Sequence, residues 1–146
     1  MTVTKESIVD IVADLAAVSA NVNQVSVYFA TSTTDTTLTE MLKLDSARFV
    51  ISTGSCRRVS GVIVARDTST GACHEWEFSV LIKNVGGTTS IVGDPLVSDT
   101  FYDSATSTWT FDISADDTND ALAMTVGGET GKTIHWAANL SYTEVL

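Results

Sequence analysis

Positive charge is what this sequence has least of. Eight Lys and Arg stand against eighteen Asp and Glu, a net charge of −10, and the basic residues are scattered. Neutralising phosphates needs clustered cations, so this balance excludes nucleic acid and anionic membranes as partners. No run of apolar residues reaches the length of a membrane span. No basic, apolar leader precedes the body, because the first apolar segment already carries Asp10 and Asp14. The chain is therefore expected to be made in the cytoplasm and not exported through a signal peptide. Histidine and cysteine occur twice each, at His74, His135, Cys56 and Cys73, in no zinc-ligand spacing. Proline occurs once, and charged residues make up only 18% of the chain. Disorder of the charged, proline-rich kind is thereby excluded.

What is abundant is Thr, Ser and Val, within a hydrophobic content of 44% over 146 residues. That composition suits one β-rich domain with a real core. Only residues 5–25 carry a helical pattern. Ile8, Leu15 and Val22 alternate with Ile11, Val18 and Val25 at spacings of three and four, as the a and d positions of a heptad seam. Thr4 is its candidate N-cap, and Glu6 complements the helix dipole. A seam this short is marginal alone and must pack on something. Either it folds back on its own domain, or it is shared between identical subunits, and its mixture of β-branched and Leu residues fits a homotrimer. The expected organisation is an N-terminal amphipathic helix over 1–26 and a β-sandwich domain over 27–146.

From Val27 onward the period is two. Trp76, Phe78, Val80 and Ile82 alternate with Glu75, Glu77, Ser79 and Leu81. Trp109, Phe111 and Ile113 follow the same rule, as do Leu122, Met124 and Val126, and then Ile134, Trp136, Ala138, Leu140 and Tyr142. Ser60–Arg66 is a more continuous apolar run suited to a central strand, and Tyr28 and Phe49–Ile51 start shorter pieces. Turn residues punctuate these runs at Asp45-Ser, Asp67-Thr-Ser-Thr-Gly, Asn84-Val-Gly-Gly, Asp103-Ser, Asp116-Asp-Thr-Asn and Gly127-Gly-Glu-Thr-Gly. About seven or eight short strands predict a mainly β fold, an antiparallel sandwich or jelly-roll-like body. The three Trp are expected in the core. A hairpin around Asp67–Ala72 sets Arg66 opposite Cys73 and Cys56 near Lys83. The cysteines are then roughly 30 Å apart along the ladder, so free thiols are expected.

Three stretches invite a chemical reading. GGETGKT, residues 127–133, looks like a phosphate-binding loop. However, only three residues separate Gly127 from Gly131 where four are needed, and a strand pattern follows instead of a helix. It reads as a hairpin turn with Lys132 exposed, so no nucleotide or other cofactor is expected. Asp116–Asp120 resembles the start of a calcium loop but lacks the later Gly and Glu, leaving a solvated turn or a weak calcium site. His135 alternates away from the core, and His74 sits at the rim of its strand. Cys73 and His74 are neighbours on a strand and face opposite ways, so they form no catalytic couple. No catalytic residues and no metal ligands are assigned, and the chain is read as a non-enzyme. Phe101 and Tyr102, beside Asp99 and Asp103, are the one loop-borne aromatic pair that could serve as a sugar platform.

Three quoted pieces carry a resemblance. They are ATSTTDTTLTEM, GVIVARDTSTGACHEWEFSVLIKNVGGTTSIVG and WTFDISADDTNDALAMTVGGETGKTIHWAANLSYTEV, in that order. From Tyr28 to Val145 the chain resembles a β-sandwich domain of tailed-bacteriophage virion proteins, of tail-fibre and head-decoration type. It departs from that pattern at Cys56, Cys73, His74 and the Gly-Lys of the last loop. The resemblance implies a non-enzymatic structural protein on the particle surface, assembled into the virion in the host cytoplasm, with phage capsid or tail proteins as partners. It transfers no catalytic residue. The expected role is a capsid decoration (cement) protein, a homotrimer stabilising the head through Ile8, Ile11, Leu15, Val18, Val22 and Val25. The absence of a long shaft favours it. The alternative is a short tail or head fibre that binds a host receptor or surface glycan. A cellular carbohydrate-binding module and a hydrolase are the competing classes.

Overall fold

The alternation of apolar and polar residues becomes two antiparallel sheets with one core between them. The computed structural model describes residues 23–146. Their eleven strands are β1 (Asn23–Thr33), β2 (Thr39–Glu40), β3 (Leu42–Lys43), β4 (Phe49–Val50), β5 (Cys56–Asp67), β6 (Cys73–Val85), β7 (Thr88–Ile91), β8 (Leu96–Tyr102), β9 (Thr110–Asp116), β10 (Ala121–Gly127) and β11 (Ile134–Val145). One 3-10 turn, Ser104–Thr106, follows β8. The larger sheet runs β3-β1-β11-β5-β6-β7, with β8 also on β6; the smaller runs β2-β10-β4, with β9 on β10. The body is thus mainly β, as the periodicity predicts, and no α-helix occurs among the described residues.

The expected heptad helix falls almost wholly outside the described residues. Where its last turn was placed, the chain is already extended. β1 starts at Asn23, and Val25 pairs with Tyr142 of β11. Val25 is therefore a strand residue, and its place in a helical seam is corrected; Ile8, Ile11, Leu15, Val18 and Val22 lie outside the described residues.

The long β5–β6 hairpin sets the parity of the molecule. Arg66 pairs with Cys73 and Cys56 with Lys83, as the turn at Asp67–Ala72 requires, and both cysteines are free. Val59, Ile63, Trp76, Phe78, Val80 and Ile82 consequently point inward and are buried. From the smaller sheet Ile113, Leu122, Met124 and Val126 meet them. Phe111 reaches across to Trp76 and Phe78, and Phe49 packs edge-on against Phe29 and Tyr142. All three Trp are core residues, although Trp109 lies just before β9 and not on it. Trp136 donates its indole N–H to Thr33 Oγ1 at 2.9 Å.

Arg57 and Asn84 are among the polar residues buried against the alternation rule. Arg57 occupies an inward position of β5, where it is 7% exposed. Its guanidinium donates to Glu144 at 2.8 Å and to the Val50 carbonyl at 2.6 Å, and lies over the rings of Phe49 and Tyr142. Removing Glu144 would strand a buried charge, which is why such pairs occur together. Asn84 is fully enclosed and satisfied: its amide donates to Ile51 O and Asp120 Oδ1 and accepts from Gly87 N. The β9–β10 turn is thereby tied to the other sheet.

GGETGKT is neither a phosphate loop nor the expected hairpin turn. β10 and β11 belong to different sheets, so residues 128–133 cross between them. Gly128 N donates to Asp35 O and Gly131 N to Thr34 O, docking the crossing on the segment after β1. A side chain at Gly128 would collide with Thr33 Oγ1, and Gly131 takes a φ of 81°. Close approach and a left-handed turn are what the glycines supply. Lys132 is not free in solvent as expected; it pairs with Glu129 at 2.8 Å.

Asp67 closes the β5–β6 turn. Its backbone N–H donates to Ala72 O, and its buried carboxylate accepts from Ser69 N at 2.9 Å, Ser69 Oγ at 2.8 Å and Thr70 Oγ1 at 2.8 Å. The Ser69 N–H, then the Thr70 and Ser69 hydroxyls, hold the carboxyl at about 2, below its ordinary 3.8. A folded value below the unfolded one means stability that is complete above about pH 4 and lost as pH falls toward about 2. Asp67→Asn should therefore melt lower than the parent protein at neutral pH, with the gap closing between about pH 4 and pH 2. Thermal melts across that range check it.

Candidate functional site

The candidate site lies where β8 joins the edge of β6. The sequence places Phe101 and Tyr102 in a loop, but they end a strand. β8 pairs with β6 from Ser79↔Leu96 to His74↔Tyr102, with a register irregularity between Glu75 and Trp76. Alternating hydrophobicity is absent from LVSDTFY, since this strand has no buried face: six of its seven residues are exposed. Only the contiguity of two large aromatics hinted at it. Both are open to solvent, Phe101 at 70% and Tyr102 at 60% exposure.

His74 braces this strand from beneath. Expected at the rim, it is instead 4% exposed, with its ring stacked on Trp76 at 3.6 Å and 4°. Tyr102 covers its neighbourhood at 5.2 Å. Nδ1 lies 2.9 Å from Thr106 Oγ1, and Nε2 lies 2.9 Å from Asp99 Oδ1. The Thr106 hydroxyl has one hydrogen and two acceptors within reach, Nδ1 and the Asp103 carbonyl at 2.8 Å. Given to Asp103, it leaves an imidazolium donating from both nitrogens. Given to Nδ1, it leaves a neutral ring donating from Nε2. In both forms Nε2–H donates to Asp99.

Hydroxyl, imidazole and carboxylate in this order have the connectivity of a catalytic triad. Thr106 is fully buried, however, so no substrate meets its hydroxyl. The arrangement is a tie that fastens β8 and the 3-10 turn to the core. Asp103 adds a second fastening: its N–H donates to Cys73 O, and its Oδ2 accepts from Cys73 N at 2.8 Å. Cys73 is exposed while His74 is buried, as neighbours on a strand must be.

Above the tie is a depression of about 600 Å³, lined by Val64, Glu75, Thr100, Phe101, Tyr102 and Asp103 together with Cys73 and His74. Val64, Glu75 and Phe101 form one transverse row on the outer face, each opposite the next. Two smaller depressions, of about 450 and 400 Å³, lie on either side of Glu77, one towards Asn139 and one towards Pro95–Val97. The Glu75 carboxylate makes no hydrogen bond or ion pair among the described residues. The geometry offers apolar and aromatic groups beside an uncommitted carboxylate.

The other sequence candidates do not assemble into sites. Asp116 bonds Asn119 and faces Arg48, Asp117 accepts from Thr89 N, and Asp120 accepts from Asn84 and Thr89. Those carboxylates knit the turn, and no metal-holding cluster occurs among the described residues. The bond from Asn119 and the Arg48 charge hold the Asp116 carboxyl below its ordinary value. His135 is exposed on the outer face opposite Arg66, as expected.

No family profile matches the chain, and no curated protein sequence is similar to it. Among solved structures it is similar to the tailspike protein of Acinetobacter baumannii bacteriophage Fri1, a capsular polysaccharide depolymerase. That likeness covers 82% of this chain and 17% of the other, at 13% identity and a TM-score of 0.39. It is also similar to the tailspike of Acinetobacter phage vB_ApiP_P1, over 81% of this chain and 21% of that one, at 16% identity and a TM-score of 0.31. The chain thus spans about a fifth of the length of each tailspike.

Replacing His74 by Phe keeps the stack on Trp76 and removes both hydrogen bonds. The loss of two bonds around a buried hydroxyl should cost about 1–3 kcal/mol. Amide exchange should accelerate at Asp99–Asp103 while β5 and β11 stay protected. An unchanged exchange pattern would show that β8 is held otherwise.

Proposed function

We propose that the chain is a non-enzymatic structural protein of a tailed-phage virion, displayed on the particle surface as a short fibre that contacts a host-surface glycan. The phage context rests on the resemblance between Tyr28 and Val145. The observation that carries the glycan contact is Phe101, 70% exposed on the outer face of a strand that His74 hydrogen bonds brace from the other face. An aromatic ring held rigid in solvent has a cost in exposed apolar area that a sugar's C–H face would relieve.

The non-enzymatic part of the reading is supported by how the local acids are used. Asp99 accepts from His74 and Asp103 from Cys73 N, leaving Glu75 as the one uncommitted carboxylate lining the depression among the described residues. Glycoside hydrolysis calls for two working carboxyl groups. A capsid decoration protein is the second reading; it gives the exposed Phe101 ring no task.

A homotrimeric assembly through Ile8, Ile11, Leu15, Val18 and Val22 remains part of the proposal. Sedimentation equilibrium should give a trimer mass, reduced to a monomer by Leu15→Asp with Val18→Asp. A parent protein that stays monomeric at micromolar concentration would remove the seam from the account.

For the glycan contact, Phe101→Ala should weaken binding to host-cell surface polysaccharide by about tenfold or more, as loss of a central aromatic contact does. The melting temperature should hardly move, since the ring buries little. Titration calorimetry with purified polysaccharide checks this; equal affinities of parent and variant would count against the site.

A further inference from the structure

We propose that the depression beside β8 takes an amino sugar, a pyranose bearing a free ammonium group, in preference to N-acetylated or acidic sugars. This deepens the glycan-contact reading and rests on it. The inference starts from Glu75. Its neighbours in the transverse row are Val64 on β5 and Phe101 on β8, each about 5 Å away at the usual strand spacing. That row gives the carboxylate no polar neighbour, and its attraction to a cation strengthens once a ligand displaces water and lowers the local dielectric.

No cation among the described residues answers it. Neither Lys nor Arg lines the depression. Arg66, opposite Cys73 on β5, is turned toward the Asp67 turn, where its Nη2 lies 3.6 Å from the position a side chain at Gly71 would occupy. Glu75 is only partly exposed, so a ligand seated on Phe101 would cover what water still reaches it. A neutral sugar would then bury an unpaired carboxylate, and a uronic acid would add a second negative charge to a chain already at −10. An ammonium removes both costs, since it pairs with Glu75 and is attracted by the face of Phe101.

The test is calorimetric titration of the full chain with short oligomers of glucosamine, N-acetylglucosamine and galacturonic acid. The glucosamine oligomer should bind at least about tenfold tighter than its acetylated counterpart, as expected for a charge-assisted hydrogen bond, and lose affinity in salt. The galacturonate oligomer should not bind. Glu75→Gln, nearly the same shape, should erase the preference for the free amine, whereas Asp112→Asn, at an exposed position of β9, should leave it intact. Equal binding of the acetylated or acidic oligomer would overturn the amino-sugar inference while leaving a glycan contact standing. An equal effect of Glu75→Gln and Asp112→Asn would do the same, because it would reduce the preference to bulk charge. If no oligomer binds, and the Phe101→Ala variant matches the parent on host polysaccharide, both readings fall.

Discussion

The register of β5 against β6 is the constraint on which the molecule depends. Side chains on a strand alternate with a period of two, so a slip of one residue would turn Trp76, Phe78, Val80 and Ile82 outward together. Asp67 fixes that register at its closed end, where one carboxylate gathers three hydrogen bonds and the backbone returns at Ala72. Everything downstream inherits the choice. β11 lays a full ladder along the other side of β5, and β8 joins the far side of β6. The same parity that sends Trp76 into the core sends Glu75 out beside Val64.

At the β8 edge the packing is unusual for an exposed aromatic residue. Exposed side chains ordinarily lose conformational freedom when they bind, and that loss subtracts from affinity. Here His74 is sandwiched between the Trp76 and Tyr102 rings and bonded at both nitrogens, while Asp103 clamps the start of β6. The strand that presents Phe101 is therefore arranged before any ligand arrives. A hydroxyl–imidazole–carboxylate chain, elsewhere a catalytic device, acts here as a rivet.

Much of the fold was legible because the core strands obey one simple rule. The pairing of Arg66 with Cys73 and the free cysteines follow from counting along one hairpin, and the buried Trp residues and the outward His135 from alternation within their own runs. The rule fails where burial is not two-sided. LVSDTFY has no buried face, so β8 carried no periodic signal. β2 and β3 are only two residues long, too short to show one. GGETGKT announced a reversal, but sequence could not say that the flanking strands lie in different sheets. Arg57 and His74 are polar residues at inward positions, and their burial depends on partners as distant in sequence as Glu144, Asp99 and Thr106. Such partners become visible only when the sheets are assembled. The candidate site was legible as two adjacent aromatics near acids; its brace and the solitary state of Glu75 were not.

The central claim is that the braced β8 edge is the surface that meets a glycan. The most direct test is an amide NMR titration of the folded chain with host-surface polysaccharide. The account predicts shifts confined to Val64, Glu75 and Thr100–Asp103, with the outer face near Ser26 and the β9–β10 turn undisturbed. Shifts centred elsewhere on the sheet, or none at saturating polysaccharide, would contradict it.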